Sequence, residues 1–203
     1  MKFTDLVPKG IFSMAQSDDA ISMLVADHDK VQDLFKQFDE IKGATDARTL
    51  QKKQQIAAAA CSELTVHTRL EEEIFYPAVR AKLDEADLLN EALVEHEGAK
   101  TLIAQLGRMT VKNEMFNARF TVLAEYVKHH INEEQSEMFP RVRAAEIDLV
   151  ALGSRMTARK RELTEGATPS RRRPPAKTRA AVSRVPASAR RKSPTRRHVA
   201  SAK

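Results

Sequence analysis

Apolar side chains recur at steps of three and four along most of the chain before residue 165, which is the spacing of one face of an α-helix. The first apolar stripe begins after Ser17 or Asp18, either of which is suited to cap a helix, and it ends before Gly43. The pattern predicts four long helices and a weaker fifth, over residues 17–41, 47–82, 85–106, 113–144 and 147–163. Because no segment alternates convincingly between apolar and polar residues, we expect an all-α fold.

Four long helices with short connections favour an antiparallel up-down four-helix bundle. We assign this bundle to residues 17–145, between an N-terminal arm at 1–16 and a short fifth helix within 146–166, which is followed by a tail at 167–203. The composition agrees with a helical protein, because charged residues make up 31% of the chain and aromatic residues only 5%.

Each of the four long helices carries a histidine in the middle of its apolar stripe. These histidines are His28, His67, His96 and His130. Two of them are followed one helical turn later by a glutamate, Glu71 after His67 and Glu134 after His130. Residues four apart lie about 40° apart around a helix and ~6 Å along it, so each pair can point into one site in the core.

The polar residues also follow an internal repeat. The segments HTRLEEEIFYP (67–77) and HINEEQSEMFP (130–140) match in the histidine, the glutamate, two bulky apolar residues and the proline. The segments DHDKVQDLF (27–35) and EHEGAKTLI (95–103) share an acid-His-acid opening. The chain therefore resembles two copies of one helical hairpin, and the spacing of the histidines places all four near one depth of the bundle.

A single core histidine is usually satisfied by a hydrogen bond, and a polar core without metal is the structural alternative. Four histidines and two glutamates at one depth favour metal, because unpaired buried imidazoles and carboxylates are costly and an ion satisfies both. Six nitrogen and oxygen ligands without a thiolate suit two ions, with Glu71 and Glu134 bridging them. Such a ligand set favours iron or manganese, while zinc or copper can compete for it.

In these residues the sequence resembles the hemerythrin-like family of HHE cation-binding domains. The resemblance covers residues 18–145 and rests on DHDKVQDLF around His28, ELTVHTRLEEEIFYPAV around His67, EHEGAKTLI around His96 and HHINEEQSEMFPRV around His130. It implies a four-helix bundle with two iron ions (Fe2+/Fe3+) in a non-haem, oxo- or hydroxo-bridged centre. The implied functions are binding of or reaction with O2, NO or peroxide, in sensing, protection or iron handling.

The chain departs from the respiratory hemerythrins at one position. Those proteins have a further histidine one turn after the third-helix ligand, where this chain has Lys100. The coordination position is then vacant, or filled by water or by another carboxylate such as Glu72. The pattern fits the broader bacterial HHE proteins better than a reversible O2 carrier, and it leaves enzymatic turnover open.

Several neighbouring residues are predicted to be structural. We expect His129 at the surface, Tyr76 and Phe139 in packing roles, and a kink or a simple bend of the helices at Pro77 and Pro140.

The charge is divided sharply along the chain. All 28 acidic residues lie at or before Glu165, whereas residues 167–203 carry 12 Lys and Arg and no acid. The high isoelectric point therefore belongs to the tail. The tail also contains five of the eight prolines and no Phe, Leu, Ile or Tyr, so we expect it to be disordered.

The basic tail is suited to sequence-independent contact with the phosphates of DNA or RNA. The candidate contacts are Arg171, Arg172, Arg173, Lys177, Arg179, Arg190, Arg191, Lys192, Arg196 and Arg197. A solubilising tail without a fixed partner and weak attraction to an anionic membrane are the alternatives.

Cys61 is the only cysteine, which excludes a disulfide framework. No apolar run is long enough to span a bilayer, and the N-terminus lacks the apolar segment of a signal peptide, so we expect a cytoplasmic protein. One chain supplies all six candidate ligands, so the site does not require a dimer, and the oligomeric state is left open.

Overall fold

The computed structural model describes residues 19–166, which form five helices connected by short loops. Two of the helices are interrupted by a single π-helical turn. The bounds are α1, Ala20–Ile41; α2, Ala47–Leu70, with a π-turn at Glu71–Phe75 and a last segment at Tyr76–Arg80; α3, Ala86–Leu106; α4, Phe116–Glu133, with a π-turn at Glu134–Met138 and a last segment at Phe139–Ala144; and α5, Leu149–Gly166.

The helix starts follow the expected capping chemistry, with one correction. Asp19 caps α1, because its carboxylate accepts a hydrogen bond of 2.8 Å from the backbone N–H of Ser22. The predicted caps, Ser17 and Asp18, precede this residue. Asp46 caps α2 in the same way, by accepting from the N–H of Thr49.

Each π-turn ends two residues before a proline, Pro77 or Pro140. In each turn a backbone N–H bonds to the carbonyl five residues earlier, from Tyr76 to Glu71 and from Phe139 to Glu134. A proline inside an α-helix clashes with the preceding turn and leaves a carbonyl without its donor, and a wider turn accommodates both. The sequence predicted a kink or a bend at these prolines, whereas the structure has one additional residue in the turn.

The fold is the predicted all-helical bundle. Helices α1 and α2 form one packed hairpin, α3 and α4 form the second, and contacts between α1 and α4 and between α2 and α3 join the hairpins. Helix α5 packs against α1 and α2. Within residues 19–166, no helix is both long and apolar enough to cross a membrane.

The apolar core is divided into two clusters by a polar layer. One cluster includes Phe35 and Phe120, and the other includes Leu24 and Phe75. On each helix of the bundle the candidate histidine lies between residues of the first cluster and residues of the second. The polar layer is therefore shielded from water at both ends.

The arm at 1–16 and the basic tail with its candidate nucleic-acid contacts lie outside the described residues.

Candidate metal centre

The four histidines predicted from the sequence meet in the middle of the bundle with their Nε2 atoms facing inward. Nε2 of His28 lies 3.1 Å from Nε2 of His67, and Nε2 of His96 lies 3.2 Å from Nε2 of His130. Each hairpin therefore contributes one close pair of imidazole nitrogens. All four side chains are buried.

The two glutamates lie between these imidazole pairs. Oε2 of Glu71 is 3.2 Å from Nε2 of His67 and 3.3 Å from Nε2 of His96, so it contacts one histidine of each hairpin. Oε2 of Glu134 makes the reciprocal contacts, 3.2 Å to His28 and 3.6 Å to His130. Each carboxylate thus spans from its own hairpin to the other.

The ligand atoms form two overlapping groups. One comprises His28, His67, Glu71 and Glu134, and the other comprises Glu71, His96 and His130, with all ligand atoms of a group within 4.8 Å of one another. Glu71 belongs to both groups and is fully buried. This is the arrangement expected when a carboxylate bridges two ions.

The fit of the donor set to a metal depends on how its buried polar atoms are satisfied. Both carboxylate oxygens of Glu71 and Oε2 of Glu134 are buried without a hydrogen-bond partner. Leaving buried carboxylate oxygens unpaired is costly, and a cation between them removes that cost. The residues therefore fit a cationic metal.

The metal-free electrostatics show how strongly this layer attracts positive charge. Burial opposes protonation of His67, but Glu71, assisted by Asp27, outweighs it and raises the pKa of His67 to about 10. Burial likewise opposes protonation of His96, and Glu71 and Glu72 raise its pKa to about 9. Burial opposes ionisation of Glu71, yet the two histidines hold its pKa well below its usual range.

A second set of polar residues lies behind the imidazoles, near their Nδ1 atoms. Glu72 contacts Nδ1 of His96 at 2.9 Å, Glu95 contacts Nδ1 of His130 at 2.8 Å, Gln135 contacts Nδ1 of His28 at 3.1 Å, and Asp27 lies 3.8 Å from Nδ1 of His67. An Nδ1–H that donates to a carboxylate leaves Nε2 free to bind a metal and fixes the ring orientation.

Comparison with known proteins agrees with the predicted family and fold. The family model for the hemerythrin HHE cation-binding domain matches residues 19–142, which is more than half of the chain. The chain belongs to the hemerythrin HHE cation-binding domain family. A solved structure of an HHE cation-binding domain-containing protein from Mycobacterium kansasii superimposes with a TM-score of 0.60, at 22% identity, over 73% of this chain and 88% of that chain. At this identity the likeness supports the fold alone.

A relative with a different description is the DNA nickase of Nostoc sp. (strain PCC 7120). It is 32% identical to this HHE protein over 117 residues. The match covers 58% of this chain and 31% of the nickase, so the chain spans less than a third of the length of that relative.

The HHE domain differs from respiratory hemerythrins at Lys100, and the structure shows where this side chain goes. Its ammonium group lies 2.6 Å from Oε2 of Glu72, toward the surface and behind His96. Glu72 is thereby held on the Nδ1 side of His96, away from the Nε2 atoms.

A small cavity adjoins the four histidines of the HHE domain. It has about 20 Å³ of space for the centre of a water-sized molecule, and apolar side chains such as Val31, Leu64 and Ile131 form much of its wall. Glu71, Glu134 and Tyr76 are not among its lining residues. The cavity has room for one very small molecule beside the imidazoles.

Tyr76 and Phe139, for which the sequence predicts packing roles, both contact the candidate ligands. The Tyr76 hydroxyl donates a hydrogen bond of 2.9 Å to Oε1 of Glu134. The Phe139 ring lies parallel to the His28 ring, with 5.9 Å between the ring centroids. Each residue is nine positions after a ligand histidine, which in a regular helix would be about 180° away from it. The π-turn supplies one additional residue and rotates both rings toward the site.

The polar residues behind the imidazoles were also missed as contributors, apart from Glu72. Asp27 and Glu95 each directly precede a ligand histidine, and they occupy matching places in the sequence repeat. The acidic residue directly before each histidine is the sequence feature that could have identified them. His129 lies at the surface as expected, with 63% of its side chain exposed.

Proposed function

We propose that this HHE protein is a non-haem di-iron protein that binds or reacts with O2, NO or peroxide, in sensing, protection or iron handling. The observation that carries the proposal is the sharing of Glu71 between two buried ligand groups, one from each pair of imidazoles. The proposed ligands are His28, His67, Glu71, His96, His130 and Glu134. Nitrogen and oxygen donors without thiolate support iron, with manganese or zinc as substitutes.

The protein side chains have three tasks in this proposal. The imidazoles bind through Nε2, which requires them to be neutral, and Nδ1 of His96 and of His130 face the carboxylates of Glu72 and Glu95, which favour that tautomer in these two rings. The carboxylates of Glu71 and Glu134 supply negative charge between the hairpins, where they contact His96 and His28 of the opposite hairpin. The two apolar clusters exclude bulk water, which strengthens every electrostatic contact in the layer.

The size of the cavity is evidence for a small ligand. It opens on the histidine side of the layer, and its volume matches one diatomic molecule or one water rather than an organic substrate. Lys100 leaves one imidazole fewer than in respiratory hemerythrins, and its side chain points away toward Glu72. Iron bound here would supply redox chemistry and an open position for such a ligand.

The test is iron per chain by elemental analysis, with an optical spectrum of the same sample, on protein from iron-supplemented cells. About two irons per chain with near-ultraviolet charge-transfer absorption supports the proposal, and titration with NO, O2 and peroxide then identifies the ligand. Absence of bound metal after anaerobic purification and iron reconstitution would overturn it.

A second candidate function is association with nucleic acid through the tail, with the bundle as a structural or iron-storing module. The observation that favours it is the concentration of 12 basic residues and no acidic residue in 167–203. The nickase relative is named for an action on DNA, but its match covers only part of that protein. This function predicts DNA binding that weakens steeply with salt and is lost when residues 167–203 are removed. Binding that survives this deletion would contradict it.

A further inference from the structure

A second cluster of potential metal ligands lies outside the buried layer, on the surface between α3 and α4. It consists of Glu95 from α3 and His129 and Glu133 from α4, and we call it the outer cluster. One ligand atom from each of these residues lies within 4.8 Å of the others. His129 and Glu133 are spaced like His130 and Glu134, one residue earlier in the chain, so α4 carries one His-x-x-x-Glu pair facing inward and one facing outward.

We propose that the outer cluster binds one divalent first-row transition metal ion, at a site separate from the buried centre. Nε2 of His129 lies 3.0 Å from Oε1 of Glu133 and 3.6 Å from Oε1 of Glu95. Metal–ligand bonds of about 2.1 Å place adjacent ligands ~3.0–3.4 Å apart, at octahedral or tetrahedral angles. These distances therefore fit ligands of one ion with little rearrangement.

The orientation of Glu95 is fixed by the buried layer. Its Oε2 accepts a hydrogen bond of 2.8 Å from Nδ1 of His130, and its Oε1 faces His129. Glu95 and Tyr126 also line both the internal cavity and a surface recess that includes Glu125 and His129. One carboxylate thus joins the outer cluster to a buried ligand, and the recess leaves space for water on the remaining side of an ion.

The charge around the outer cluster favours a cation. Three glutamates, Glu91, Glu95 and Glu137, lie close enough to Glu133 to repel its carboxylate. Within residues 19–166, neither Glu95 nor Glu133 forms an ion pair with a lysine or an arginine.

The equivalent position in the first hairpin is different, and this contrast supports a specific site. Asp27 matches Glu95 in the sequence repeat, but its carboxylate is paired with the ammonium group of Lys160 from α5. The residues that match His129 and Glu133 are Val66 and Leu70. In the second hairpin, by contrast, the carboxylate of Glu95 has no lysine or arginine partner in the described part of the chain and lies beside the imidazole of His129. One imidazole and two carboxylates suit Fe2+, Mn2+ or Zn2+.

The proposal is tested with Zn2+ on the full 203-residue chain, by equilibrium dialysis and elemental analysis of zinc and iron in the same sample. The variants are His129→Gln and Glu133→Gln. The matched control is Glu137→Gln, which removes the same charge one turn further along α4 but is not part of the outer cluster. Zinc that enters the buried centre or binds elsewhere is common to all the proteins and cancels in the comparison.

Wild type and Glu137→Gln are expected to bind one more zinc per chain than the two ligand variants, at a free zinc concentration that saturates wild type. The affinity for that ion should fall at least about tenfold in each ligand variant, since even the loss of an outer-shell partner costs that much. Equal zinc content in all four proteins, or an equal loss in Glu137→Gln, would overturn the proposal. Because iron is counted separately, failure of the outer cluster is distinguishable from failure of the di-iron centre to load.

Discussion

The hydroxyl of Tyr76 donates a hydrogen bond of 2.9 Å to Glu134, so that a side chain of the first hairpin holds a carboxylate of the second. The matching residue of the second hairpin is Phe139, which has no hydroxyl and stacks on His28 instead. The two halves of the site are therefore alike in their imidazoles and glutamates but unlike in this contact. Glu71 receives no equivalent hydrogen bond from a hydroxyl, and its Oε2 faces only Nε2 of His67 and of His96.

Replacement of Tyr76 by Phe should weaken metal binding without unfolding the bundle. Phe fits the space, as Phe139 does in the other half, but Glu134 loses the donor that orients it. Loss of such an outer partner typically lowers metal affinity by about 10-fold to 100-fold. Competition with a chelator measures the effect. Equal affinity of Tyr76→Phe and wild type would contradict the expectation.

Replacement of Glu71 by Gln should remove the second metal ion from the centre. The amide keeps the shape of the side chain but lacks the negative charge that both ligand groups share. We expect the metal content to fall from about two ions per chain to one or fewer, measured by elemental analysis after reconstitution.

The control for this variant is Glu73→Gln, two residues away in the same π-turn. Glu73 faces Arg69 and Arg159 at the surface and has no contact with the histidines. It should retain the metal content of wild type. Full metal content in Glu71→Gln would show that this carboxylate does not bridge.

Replacement of Lys160 by Met should destabilise the fold, because the largely buried carboxylate of Asp27 loses the cation that neutralises it. Removing the partner of a largely buried acceptor costs on the order of 1–3 kcal/mol. Lys30→Met is the matched control, since Lys30 pairs with Glu63 in an exposed position and such pairs contribute about 0.2–1 kcal/mol. Denaturant unfolding of the metal-free proteins measures both, and equal losses would contradict the assigned role of Asp27.

The fold and the six candidate ligands could be predicted because both follow from one helical period. Four apolar stripes define the bundle, and a histidine inside a stripe must face the core. The role of Tyr76 could not be obtained in this way, since it depends on a π-turn that shifts the period by one residue. The contact of Glu95 with His130 joins two helices, and its formation depends on how closely α3 and α4 pack. Helical periodicity contains no information about either effect.

The stability of the metal-free protein should fall as the pH rises from about 6.5 to 10. The pKa of His67 is raised to about 10 and that of His96 to about 9, above the value of about 6.5 in an unfolded chain. A group whose pKa is raised by folding stabilises the fold fully below the unfolded pKa and loses this contribution as the pH passes through the folded pKa. Denaturant unfolding between pH 6 and 10 measures the loss.

The stabilisation by bound metal should have the opposite pH dependence, because Nε2 of each histidine must release its proton before it can bind an ion. The stabilisation by added metal is therefore expected to increase over the same range of pH in which the metal-free fold weakens, and protons should be released on binding at pH 7. Folding lowers the pKa of Glu71, so the metal-free protein should also lose stability as the pH falls below about 4.5, where this carboxylate would be protonated in an unfolded chain. A metal-free stability that stays constant or rises between pH 6.5 and 10 would contradict the assigned protonation of His67 and His96.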